Sequence, residues 1–206
     1  MKKILMTLAL AATATFTFVS CNSSTETTEG TEEAVAIADG TVTIDAAASS
    51  VMWKGEMLGL YSHEGTVPLK SGSITITDGA ISAGNFEIDL TTINPTDDAY
   101  GEDNPKEKLV GHLSSADFFN VEQFPTATFE ITGSEGTSVM GNLTVRGITN
   151  PEKVENVVIT QNENGTSMTG DLTFDRTKYD VNFSMPVEDK VLSNDIKISV
   201  SLAAAK

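Results

Sequence analysis

Cysteine is almost absent from this sequence. The only one is Cys21, so no disulfide can form within the chain and stability must come from a packed core. Histidine is nearly as scarce: His63 and His112 stand far apart, too few for a zinc site, and neither a metal nor a cofactor is expected. Positive charge is also short. Thirteen lysines and arginines face twenty-nine acids, a formal net charge of −16, with no basic cluster to receive phosphates. Nucleic acid and anionic membrane surfaces are thereby excluded as partners. Beyond the N-terminus no apolar run approaches the ~18 residues of a membrane-spanning helix.

Lys2 and Lys3 precede an apolar stretch from Ile4 to Val19, broken only by threonines and followed by Ser20 and Cys21. This is a secretory signal. A lone cysteine at its end resembles a bacterial lipoprotein signal, although Phe18 replaces the usual leucine. The resemblance implies cleavage after residue 20 and acylation of Cys21, which would attach the protein to a membrane; the competing reading is an ordinary signal with an accidental cysteine. From Asn22 to about Asp39 only Val35 and Ile37 are large and apolar, too little to offset the entropy of ordering. The expected organisation is a signal at 1–20, a lipidated cysteine and acidic tether at 21–39, and one folded domain at 40–206. No acid follows Cys21 directly, a feature resembling outer-membrane lipoproteins. The expected location is the bacterial cell envelope, on the outer membrane facing the periplasm.

From Gly40 onward large apolar residues alternate with polar ones, the period-2 mark of strands with one buried face. Val42 and Ile44; Val51 and Trp53; Ile74 and Ile76; Phe86, Ile88 and Leu90; Phe129 and Ile131; Leu143 and Val145; Leu172 and Phe174; and Ile196 through Leu202 read as eight strands. Turn chemistry separates them at Asp78-Gly79, Ala83-Gly84-Asn85 and Asn162-Glu163-Asn164-Gly165. Sequential hairpins make an antiparallel meander, and closing it into one barrel leaves the polar face in water. The stretch from Thr92 to Pro125 departs from the pattern. Asn104 reads as an N-cap before Pro105 and Glu107, and Leu109 with Leu113 gives an i, i+4 pair, which predicts a short helix over one barrel end. Ser114 with Asp117 is expected to cap a further turn and gather Phe118, Phe119 and Phe124 into an aromatic cluster. The fold class is therefore all-β, an eight-stranded antiparallel barrel with a short helical insertion.

Several segments resemble the YceI-like family in order and spacing: Thr91-Thr92-Ile93-Asn94, the run from Gly111 to Val121, Phe124-Pro125-Thr126-Ala127-Thr128-Phe129, Gly141 to Thr149, and Asp175-Arg176-Thr177. The match between Trp53 and Gly72 is short, at His63-Glu64-Gly65. This resemblance implies a lipocalin-like barrel, exported by bacteria, whose apolar interior holds a polyisoprenoid-type lipid. An eight-stranded barrel is wide enough to be filled by its own side chains or to hold one slender ligand.

A lipid lumen needs an apolar wall with few polar groups at its mouth. Trp53, Phe86, Ile88, Phe129 and Phe174 are the inward candidates, with Phe118 and Phe119 closing or gating the entrance; ordinary core packing is the competing reading for each. Arg146 and Arg176 each end an apolar strand, and are read either as phosphate-headgroup contacts or as ion-paired strand ends, Arg176 with Asp175 or Asp180. His63, read as lying in a loop, and His112 have no nucleophile placed with them, so catalysis is not expected. Asp97, Asp98, Glu102 and Asp103 lack calcium-loop spacing and read as a solvated loop. The expected function is non-catalytic carriage or sequestration of a long apolar lipid, a polyisoprenoid or isoprenoid quinone. The alternative is an envelope interaction module with a filled core and an acidic surface. A homodimer is left open.

Overall fold

The computed structural model describes residues 38–162, 165–184 and 191–205. The expected signal, Cys21 and the tether as far as residue 37 lie outside the described residues. The strands are β1 (Gly40–Met57), β2 (Tyr61–Val67), β3 (Leu69–Thr77), β4 (Ala80–Asp89), β5 (Asn94–Pro95), β6 (Thr126–Glu135), β7 (Ser138–Val145), β8 (Ile148–Asn162), β9 (Gly165–Asp175) and β10 (Leu192–Ala204). A helix, α1 (Lys106–Ser114), stands between β5 and β6. All strand pairings are antiparallel, and β10 returns to pair with β1, so the sheet closes.

Eight strands form the ring: β1, β3, β4, β6, β7, β8, β9 and β10. The other two are continuations. β2 and β3 both pair with β1, on its later and earlier halves, as one run interrupted at Pro68, which has no N–H to donate. Likewise β5 prolongs β4 past the 3-10 turn Leu90–Thr92 and pairs with β2. The architecture agrees with the barrel read from alternation, but its strands divide differently. Val42 with Ile44 and Val51 with Trp53 lie on one strand, β1, across an irregularity between Asp45 and Ser50. There the Asp45 carboxylate accepts from the N–H groups of Ala47 and Ala48 at 3.0 and 3.2 Å. The sequence reading lacks the short strands β2 and β5 and, from the ring itself, β8, where register shifts between Glu155 and Val158 and Asn156 takes a positive φ of 54°. That bulge breaks the period-2 signal, turning Val154 and Val157, three positions apart, to the same interior.

Antiparallel order sends the 57–61, 89–126, 145–148 and 175–192 connections to one end of the barrel and 77–80, 135–138 and 162–165 to the other. Helix α1 sits at the first end. Its N-cap is Pro105 rather than the expected Asn104, without a side-chain capping bond, because Asn104 instead exchanges main-chain hydrogen bonds of 3.2 Å with Gly101. The turn after α1 is capped by Ser115, not Ser114: the Ser115 hydroxyl accepts from Asp117 N–H at 3.3 Å. At the opposite end Ile74, Ile76 and Ile81 are almost wholly buried, each contributing about 1.5–3 kcal/mol through removal from water.

Candidate functional site

The inward faces of the strands do not meet in the middle. They enclose a cavity of about 540 Å³ that follows β10 past Leu192, Ile196, Ile198, Val200 and Leu202. That is roughly 33 Å of strand at about 3.3 Å per residue. The volume falls within the ~300–1,000 Å³ usual for ligand sites. Exposed Tyr61, Asn104 and Lys108 line it at the α1 end, which makes that end the mouth.

Trp53, Phe86, Ile88, Phe118, Phe119, Phe129 and Phe174 all line this cavity. Phe86 and Phe129 face each other across the β4–β6 ladder. Two glycines make room for their rings. A Cβ on Gly72 would lie 2.7 Å from Phe86 Cδ1, and one on Gly141 would collide with the Phe129 ring. The Trp53 indole Nε1 is buried, with no hydrogen-bond partner among the described residues.

The aromatic cluster at the mouth differs from the expected one. Phe118 lies 6.3 Å from Phe119, but the third member is Phe183, 5.3 Å from Phe118, with His112 set edge-on to both at 4.9 and 4.4 Å. Phe124 packs instead beside Gly147, whose φ of 74° marks the β7–β8 turn. Phe183 follows the 3-10 turn Arg176–Tyr179 and alternates with Tyr179 and Val181, a short period-2 run that the sequence reading does not use.

Arg176 makes no salt bridge with Asp175 or Asp180 among the described residues; Asp180 pairs with Arg146 instead. Arg176 is 4% exposed, and its guanidinium donates to main-chain carbonyls: Nε to Ser193 at 2.9 Å, Nη1 to Val181 and Nη2 to Leu192 at 3.5 Å. Burial lowers its pKa from the ordinary arginine range, opposed by the Asp175 charge. Asp175 itself accepts from Thr177 N–H at 2.9 Å, while Asp180 faces Arg146 at 3.7 Å. Arg146 also donates to the carbonyls of Ala116 and Phe118, which ties the β7–β8 turn to the turn after α1. Both arginines thus act as main-chain ties around the mouth.

His63 is on β2, not in a loop, and Asp97 is drawn out of the solvated acidic run to meet it. Asp97 oxygens lie 3.2 and 3.3 Å from His63 Nδ1, and Asp97 also accepts from the Glu64 N–H at 3.1 Å, the Ala99 N–H at 3.1 Å and the Tyr100 hydroxyl at 2.7 Å. Burial pushes its carboxyl pKa up, but Tyr100, the two N–H groups and His63 outweigh burial and hold it at about 2. A folded-state pKa below the unfolded one stabilises the fold above about pH 4, and that contribution disappears as pH falls through about 2. The shift corresponds to roughly 2 kcal/mol at neutral pH. Urea unfolding of Asp97→Asn should show that loss at pH 7 and converge with the parent protein near pH 2. A constant difference across that range would refute it.

The profile of the YceI-like domain matches residues 42–204. Two UPF0312 proteins of Staphylococcus aureus strains are 36% and 35% identical over 98 residues, 44% of this chain and 57% of theirs. The matched region therefore spans little more than half the length of those relatives. Among solved structures, Burkholderia cenocepacia BcnA superposes with a TM-score of 0.63 at 19% identity, covering 79% of this chain and 99% of that one. A polyisoprenoid-binding domain from Saccharophagus degradans gives a TM-score of 0.54 at 13% identity, covering 82% and 100%. At such identities these likenesses speak for the barrel fold.

Proposed function

The chain belongs to the YceI-like family, and from that premise we propose that its barrel binds one long, slender apolar lipid non-covalently and performs no chemistry on it. The observation that carries this reading is the elongated cavity, walled by apolar side chains from Leu192 to Leu202 and polar mainly at the α1 end. A hydrocarbon tail gains about 25 cal/mol for each Å² it removes from water and needs no hydrogen bonds along its length. The polyisoprenoid-binding description of the Saccharophagus domain supports the same class of cargo. Within that class, a polyisoprenoid or an isoprenoid quinone is the proposed ligand. The cavity argues against the filled-core interaction module. Titration with a solubilised polyprenol, followed through the emission of Trp53, the sole tryptophan, tests the reading directly. Saturable binding supports it, and an unchanged spectrum with no retained lipid contradicts it.

Carriage or sequestration of the lipid would take place in the bacterial envelope, with Cys21 acylated and holding the domain to the outer membrane from the periplasmic side. Several acyl chains, each contributing about 0.8 kcal/mol per buried CH₂, would make that attachment stable. The acidic stretch through Glu26, Glu29, Glu32 and Glu33 would act as an extended spacer. Metabolic labelling with a fatty-acid probe, lost in Cys21→Ser, tests the anchor.

Phe118 and Phe119 form the entrance to the lumen. Replacing both by alanine should speed lipid exchange by about tenfold or more, because two large rings no longer have to move aside. Stopped-flow transfer to acceptor vesicles measures this, and an unchanged exchange rate would remove the gate.

A further inference from the structure

At the polar end of the cavity His63 has only half of its hydrogen-bonding capacity in use. Its Nδ1 faces three oxygens, the two of Asp97 at 3.2 and 3.3 Å and the Tyr100 hydroxyl at 3.2 Å. The Tyr100 hydroxyl hydrogen is already donated to Asp97 at 2.7 Å, so its oxygen offers the ring only lone pairs. All three oxygens accept, and Nδ1 must therefore carry the proton. The ring is also held in place, stacked on Tyr100 at 5.5 Å and edge-on to Tyr61 at 5.2 Å. In the neutral imidazole Nε2 is then fixed as a lone-pair acceptor.

Nothing among the described residues uses that acceptor, and Nε2 is not among the side-chain atoms sealed from solvent. Alternation along β2 places His63 on the inner face with Tyr61 and Gly65, and all three pair with β1, His63 opposite Gly55. Gly55 leaves space in front of the ring, since a Cβ there would meet only Ile196 Cδ1, at 3.6 Å. The adjoining charges are the Asp97 carboxylate, Glu64 with Lys54 at 3.8 Å, Lys106 over the Tyr100 ring at 5.8 Å, and cavity-lining Lys108. A lone-pair acceptor at Nε2, beside the Asp97 carboxylate, suits an uncharged O–H donor.

Resting on the lipid-binding reading above, we propose that His63 Nε2 receives the hydroxyl of a bound lipid alcohol, so that the protein selects an O–H-bearing lipid over one of equal length whose oxygen can only accept. The probes are a long-chain primary alcohol, its methyl ether and the corresponding alkyl phosphate. Each is titrated with Trp53 emission as the readout. The alcohol should bind about three- to tenfold more tightly than the ether, the range of one net hydrogen bond. His63→Asn keeps an N–H for Asp97 but has no atom where Nε2 was. In that variant the alcohol should lose its advantage while the ether binds as before, with thermal unfolding confirming a folded barrel.

Equal binding of alcohol and ether by the parent protein, or an undiminished preference in His63→Asn, would overturn this assignment and leave lipid binding intact. Tighter binding of the phosphate would also overturn it, in favour of an anionic headgroup. If no probe binds, the lipid reading fails and the assignment with it.

Discussion

Phe86→Asp should abolish lipid uptake, weakening affinity by about a hundredfold or more. Phe86 stands midway along the lumen, opposite Phe129 and against Gly72. A carboxylate there stays ionised only by keeping water around it, and a lipid tail entering the lumen would have to strip that water away. The cost of burying an unpaired charge far exceeds the ~2.7 kcal/mol that a hundredfold change represents. The barrel should survive, because the side chain borders open space where water can follow it, although loss of the ring will cost about 3 kcal/mol of stability. Circular dichroism and a tail-binding assay on the same sample separate the outcomes. A folded variant that still binds lipid with parental affinity would move the binding site out of the lumen.

Arg176→Met has the largest expected effect on stability without changing the apolar wall. The guanidinium joins the carbonyls of Val181, Leu192 and Ser193, bringing the end of β9 and the start of β10 together at the mouth. Methionine preserves much of the volume but leaves those acceptors without a donor. Hydrogen bonds from a charged donor contribute about 1.5–3 kcal/mol each, and partial rehydration of the carbonyls offsets some of that. The expected loss is about 3 kcal/mol in urea unfolding, with lipid affinity per folded molecule unchanged. A variant of parental stability whose lipid affinity has fallen would instead make Arg176 a headgroup contact.

Much of this molecule is legible along the chain because strand alternation is a local signal. Phe86 with Ile88, and Phe129 with Ile131, point inward because every second residue must. The same rule fails at β8. Pro151 interrupts the run, and the bulge at Asn156 shifts the phase, so Val154 and Val157 share the interior without sharing a period. It also divides β1 in two at the Asp45 to Ser50 irregularity, where the pattern lapses but the pairing with β10 resumes. Tertiary partners leave still less trace. Asp97 lies 34 positions from His63 in the chain, and nothing near it distinguishes it from Asp98. The acceptors of Arg176 are carbonyls, which every residue has, so an ion pair was the natural expectation from a chain rich in acids. Gly72 and Gly141 could have been read as clearance for Phe86 and Phe129 only with the strand register in hand.

The central claim is that the lumen carries a lipid, and its most direct test is mass spectrometry of organic extracts. The protein would be purified natively in a form beginning at Gly40, which omits Cys21 and any acyl chain on it. One long-chain isoprenoid per protein molecule, absent from folded Phe86→Asp, is the predicted result. A protein that yields no lipid and takes up no added polyprenol would contradict the account.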